Sequence, residues 1–150
     1  MRAPTALADA LPAVLEPNKP RDPAADPRAF AARVRAELHR LLGALARRDF
    51  DEARAALRDD EAAVWTSERL AAEIASYFDE HKQIVVTPLA RSPRNTMLAN
   101  VAPRIWEAQQ TIVDPEGDED FAIHARVDLS EPLLPGQENA PLIELVRIGR

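Results

Sequence analysis

Residues 114–120 read "DPEGDED" and place five carboxylates, Asp114, Glu116, Asp118, Glu119 and Asp120, in seven positions. Two chemistries suit such a stretch. One is a hard-cation loop, since calcium takes six to eight oxygens and Asp114, Glu116 and Asp118 stand at loop positions 1, 3 and 5 of a helix–loop–helix calcium site. The other is a sharp turn, with Pro115 fixing one φ and Gly117 taking a positive one. The calcium pattern then fails. Glycine falls at position 4 instead of 6, and position 12 is Ala125, where a bidentate Glu is needed. The turn is the expected reading, with Asp114, Pro115, Gly117 and Asp118 as its structural residues and no metal bound.

The other reactive residue types are sparse. The three histidines are His39, His81 and His124, and none has a second histidine at metal-ligand spacing. His81 falls in the last turn of an expected helix, where it meets the negative end of the helix dipole. His124 shares a strand face with Arg126 and Asp128, a row that could act as a base with an electrostatic helper but reads first as a solvated sheet face. The chain has no cysteine, which removes disulfides, thiolate metal sites and cysteine nucleophiles together. Its four glycines are not clustered, so no phosphate-cradling loop exists, and no serine sits in a nucleophile elbow. No cofactor is expected. Trp65 and Trp106 read as core anchors.

These residues need a scaffold, and the pattern supplies one. In "DPRAFAARVRAELHRLLGALARRD", Asp26 is an N-cap and Pro27 a first helical residue. Phe30, Val34, Leu38, Leu41 and Leu45 then form one apolar stripe, which predicts a helix over 27–48. Arg33, Arg40 and Arg47 lie off that stripe. "DFDEARAAL" repeats the start signal, with Asp49 as cap and Glu52 three later, as in a capping box. A third helix begins at Thr66 or Ser67 and turns Leu70, Ile74, Tyr77 and Phe78 inward. After residue 82 the apolar period changes from about 3.6 to about 2. "QIVVT", "NTMLANV", "RIWEAQQTIV", "FAIHARVDL" and "PLIELVRIG" read as short strands or strand candidates separated by proline-bearing loops. In "FAIHARVDL", Phe121, Ile123, Ala125, Val127 and Leu129 share one face. Helices followed by strands predict an α+β fold: two to three N-terminal helices on one face of a curled four- or five-stranded antiparallel sheet. A cystatin-like or nuclear-transport-factor-like roll is the specific expectation.

The chain of 150 residues suits one domain, able to bury roughly two thirds of its unfolded surface. Prolines 4, 12, 17, 20 and 23 mark residues 1–26 as a flexible arm, in which Leu7, Leu11, Val14 and Leu15 fall at helical spacing. Residues 27–150 form the expected domain. Net charge is −6 but uneven: residues 27–58 carry +4 and residues 59–150 carry −9. An acidic surface repels phosphate backbones, so any RNA contact is expected to be weak and local. No apolar run approaches the roughly 18 residues of a membrane helix, no signal peptide is expected, and the expected location is the cytoplasm.

One resemblance adds context. "RIWEAQQTIVDPEGDEDFAIHARVDL" resembles the C-terminal domain of unknown function that follows the helicase core in certain bacterial DEAD/DEAH-box RNA helicases. The matching residues are Trp106, Asp114, Pro115, Gly117, Asp118, Phe121, Ile123, Ala125, Val127, Asp128 and Leu129, with Phe121 standing where tryptophan is expected. Upstream, "FDEHKQIVVTPLARSP" resembles the same family through Ala90 to Pro93. The similarity spans roughly 28–148. It carries no catalytic residue to this chain, and these residues hold neither an ATP-binding loop nor a "DEAD"-type box, so a free-standing or detached relative is implied.

Two function classes follow, with a third kept open. The first is a non-enzymatic accessory module for a protein partner, a helicase or ribonucleoprotein among them, contacted through Arg33, Arg40, Arg47, Arg91 and Arg94. The second is a ligand pocket or enzyme of the roll type, lined by Tyr77, Trp106, His124 and Arg126. The third is a homodimer through sheet faces, suggested by Leu142, Val146 and Ile148 alternating with Ile143 and Leu145 on the last strand.

Overall fold

The computed structural model describes residues 21–58 and 64–150. The readings placed on residues 1–20 lie outside them. Among the described residues, three helices precede the sheet: α1 (Pro27–Ala46), α2 (Phe50–Ala55) and α3 (Ser67–Glu80). A 3-10 turn (Pro93–Asn95) leads into β1 (Thr96–Ala102), β2 (Ile105–Ile112), β3 (Phe121–Asp128) and β4 (Glu144–Gly149). The strands form one antiparallel sheet in the order β1-β2-β3-β4. The fold is α+β with the helices packed on one face, in the order expected.

Each helix starts where side-chain chemistry caps it. The Asp26 carboxylate accepts from the Arg28 and Ala29 amides, and Pro27 occupies the first turn, where its missing N–H costs nothing. Asp49 accepts from Glu52 N–H at 3.1 Å. Glu52 does not return the bond as a capping box would; its carboxylate is taken by Arg40 at 2.8 Å. Thr66, not Ser67, is the third cap. The stripes deliver Val34, Leu38, Leu41 and Leu45 from α1 and Leu70, Ile74 and Tyr77 from α3 to one core.

The sheet contributes Ile112, Phe121, Ile123, Ala125 and Val127 to that core. The odd residues of β3 are buried and Arg126 is exposed, as the alternation predicts, although Ala122 on the other face is buried as well. "QIVVT" is not a fifth strand. Val85 N–H reaches Val113 O at 2.8 Å, beyond the end of β2, but Pro88 has no N–H to extend a ladder and the chain turns over Thr87–Ser92. The run still packs, with Ile84 buried.

The apolar surplus near the C-terminus has a local cause. His124 pairs with Arg147 and Ala125 with Leu145, so Val146 is an extra residue, a β-bulge. The bulge resets the parity, which lets Leu145 and Ile148, three apart, both face the core. Leu142 and Ile143 are buried ahead of β4, and only Val146 is exposed, at 56%.

Candidate functional site

The residue that organises the acidic turn is His81. It follows α3 and continues its buried stripe, four residues after Tyr77. Its ring is 3% exposed. It packs against Tyr77 and Phe121, with ring centroids 5.1 Å and 5.9 Å away. Nδ1 lies 2.6 Å from Glu116 Oε1, and Nε2 lies 3.1 Å from Asp120 Oδ1. Asp114 Oδ1 stands 3.7 Å from Nδ1.

This geometry constrains protonation. A neutral imidazole has one N–H and cannot donate to both carboxylates. The two contacts are both satisfied when the ring is the imidazolium. The hydrogen bond to Glu116 accordingly raises the His81 pKa, with Asp120 and Asp114 adding to it against the opposing effect of burial.

The turn is built around Asp114, itself 3% exposed. Its two carboxylate oxygens accept from Asp118 N–H at 2.9 Å and Glu119 N–H at 2.7 Å. Gly117 N–H closes on Asp114 O at 3.1 Å, and Gly117 takes φ +79°. Burial pushes the Asp114 carboxyl up, but the two backbone donors and His81 outweigh it, and its pKa is lowered. Arg150 bonds Glu80, approaches Asp120 at 3.5 Å, and lies over the Phe121 ring at 4.8 Å. Tyr77 donates its hydroxyl to Gln83 O at 2.5 Å. Burial, followed by the nearby Asp114, Glu116 and Asp120, pushes its phenol pKa up.

Among the described residues, two ligand sets have donor atoms close enough to hold a cation: Glu80, His81 and Asp120, or His81, Asp114 and Asp118. Apart from the exposed Asp118 carboxylate, the same groups already have partners. Asp114 spends both oxygens on backbone amides, and the positive charge among these carboxylates comes from His81 and Arg150. As placed, His81 and Arg150 offset part of the negative charge, and their contacts tie the end of α3 to the β2–β3 turn. His81 cannot serve as a general base while both nitrogens are held.

The expected site residues scatter. Tyr77 is fully buried, and Trp106 is half-buried against Phe30, ring centroids 4.6 Å apart, so both lie on the helix side of the sheet. His124 and Arg126 lie on the opposite face, and the sheet separates the two pairs. His124 borders an open cleft of about 230 Å³ with Met97, Ala99, Glu107, Gln109 and Arg147. Its Nε2 is buried without a hydrogen-bond partner among the described residues, and burial, then Arg147, lowers its pKa. Arg126 pairs with Asp128 at 3.1 Å.

The arginines divide as well. Arg33 bonds Glu37 at 3.2 Å and Ala140 O at 2.8 Å, so it is part of the scaffold. Arg40 is held by Glu52. Arg94 reaches Glu119 at 3.7 Å and so belongs beside the acidic turn. Arg47 and Arg91 are exposed and enter no ion pair among the described residues.

The His81 constellation was not legible beforehand. The usable signal was its place on the α3 stripe: a polar ring on a buried face needs partners. Which partners depended on a turn more than thirty residues away.

No curated protein and no solved structure matches the chain. The model of one family, described as a domain of unknown function (DUF3516), matches residues 1–144. The chain is therefore a member of the DUF3516 family.

Proposed function

We propose that this chain is a non-enzymatic interaction module for a protein or ribonucleoprotein partner, with a helicase the first candidate. The observation that supports it is the closure of the one titratable cluster in the core. His81 has both nitrogens bonded, and Asp114 has both oxygens bonded. A catalytic acid or base needs a group within hydrogen-bond reach of substrate, and neither His81 nor Asp114, both 3% exposed, offers one. The groups left to a partner are on the surface, Arg47 and Arg91 among them. The helicase partner is supported by the resemblance of the Trp106 strand, the acidic turn and the Val127–Leu129 end to helicase-associated domains.

The test is co-purification of the full chain from native lysate under mild salt. Recovery of a helicase or ribonucleoprotein that is lost in an Arg47→Glu, Arg91→Glu double variant is expected. Rim charges of this kind act chiefly on association rate and salt dependence, so the difference between wild type and variant should be largest at low ionic strength and shrink as salt screens it. Return of no helicase, RNA or ribosomal component would overturn the reading.

A further inference from the structure

The face of the sheet turned away from the helices carries the open cleft beside His124, about 230 Å³ in volume. The strand register shows how it is made. Met97 on β1 stands opposite Gln109 on β2, Gln109 opposite His124 on β3, and His124 opposite Arg147 on β4. The next row runs Ala99, Glu107, Arg126 and Glu144. The small side chain of Ala99 leaves a hollow beside Glu107, and the exposed Met97 and Val146 give the cleft two apolar walls.

The charge in this cleft is uneven. The register offers Glu107 a cation directly opposite, Arg126. The pair is not made: Arg126 turns to Asp128 at 3.1 Å, and Glu107 enters no ion pair or hydrogen bond through its side chain among the described residues. The half-buried Gln109 side chain is likewise unbonded among them. Arg147 lines the cleft, but its guanidinium is turned to the other end. It donates to Arg150 O at 3.1 Å and reaches over Gly149, 3.1 Å from where a Cβ would stand there. Gly149 pairs with Ala122 and Glu107 with Arg126, four residues apart on β3, so these two rows lie roughly 13 Å apart. His124 sits between them, and burial, then Arg147, favours its neutral form. One end of the cleft therefore holds an uncompensated carboxylate, and its middle is uncharged.

We infer that this cleft is a site for a small organic cation, a primary ammonium group on an apolar body, with Glu107 as its counter-ion. The three N–H donors of an ammonium match what the cleft offers: the Glu107 carboxylate and the Gln109 carbonyl accept two, and the open side leaves the third to water. The apolar body lies between Met97 and Val146. Among the described residues no phenylalanine, tyrosine or tryptophan lines the cleft, so a quaternary ammonium, which aromatic faces hold, is not the match. An anion is disfavoured by Glu107 and by the net charge of −6, which draws cations instead. The volume lies below the roughly 300–1,000 Å³ of drug-sized sites, so the ligand is small. The site shares no residue with Arg47 and Arg91, so this inference and the partner-binding reading fail separately.

Hexylamine is the probe, titrated into the full chain at low ionic strength and followed by heteronuclear NMR. Shifts should concentrate on Met97, Ala99, Gln109, His124 and Val146. Glu107→Gln, at an exposed position that leaves the fold intact, should weaken binding by roughly three- to fivefold, and added salt should weaken it as well. Glu68→Gln, exposed on α3 across the molecule, should not. Hexanol has the same body without the charge and hexanoate the opposite charge; both should bind more weakly. Nα-acetyl-lysine methylamide carries the same cation on a peptide backbone. Tighter binding than hexylamine assigns the site to a lysine of a partner, and weaker binding assigns it to a free amine. Hexanol or hexanoate binding as tightly as hexylamine, indifference to Glu107→Gln, or shifts spread over the other surface carboxylates would each overturn the inference.

Discussion

At the scale of single residues, His81 and Gly117 make the sharpest predictions. His81 has a folded pKa raised above its unfolded value near 6.5. Its contribution is therefore fully present below about pH 6.5 and is lost as pH rises through the folded pKa. His39 and His124 act oppositely, because burial favours their neutral forms, so their cost appears as pH falls below about 6.5. The difference between wild type and His81→Gln isolates the first effect. The gap between their thermal midpoints should be widest near pH 6 and narrow toward pH 9; a gap independent of pH would mean that His81 is neutral in the fold. Gly117 has open space around its Cβ position but a φ of +79°. Gly117→Val should therefore cost about 1–2 kcal/mol from backbone strain alone, read from urea unfolding. A cost near zero would show that the turn re-forms without positive φ.

At the scale of elements, the joints between helices and sheet are held by a few long-range polar contacts. Glu37 on α1 uses one oxygen for the Leu142 and Ile143 amides and the other for Arg33. Glu37→Leu leaves two part-buried donors unpaired and should cost about 1–3 kcal/mol. Glu37→Gln keeps an acceptor and should cost less; equal costs in denaturant titrations would show that charge, not the hydrogen bonds, matters there. The two tryptophans separate in the same way. Trp65 is 8% exposed and donates to Leu145 O, whereas Trp106 is half-buried against Phe30. Trp65→Ala should cost about 3–5 kcal/mol, and Trp106→Ala should cost less. The reverse order would place the main aromatic anchor on the sheet.

At the scale of the whole molecule, carboxylates whose pKa values the fold holds low set the response to acid. Arg104 lowers the Asp22 pKa, Ser130 lowers that of Asp128, and backbone donors hold Asp114 low. These carboxylates stabilise the fold above their unfolded values near 3.9, and that contribution is lost as pH falls through their folded values. The thermal midpoint should therefore drop steeply below about pH 4, and Asp22→Asn should make that acid limb shallower. An unchanged limb would mean that the Asp22–Arg104 pair is screened. The sequence by itself determined the α+β class, the Asp26 and Asp49 caps, the core stripes, the β3 faces and the positive φ at Gly117. Each depends on neighbours within a few positions, where capping, periodicity and turn sterics operate. Only the tertiary structure decided that "QIVVT" is not a strand, that a bulge at Val146 turns Leu145 and Ile148 to one side, and that the sheet separates Tyr77 and Trp106 from His124 and Arg126. It alone brought His81 to Glu116 and Asp120. A hydrogen bond between residues 35 or 39 apart leaves no periodic trace in the chain; it exists because the packing of α3 on β3 carries the end of one element to the turn of another.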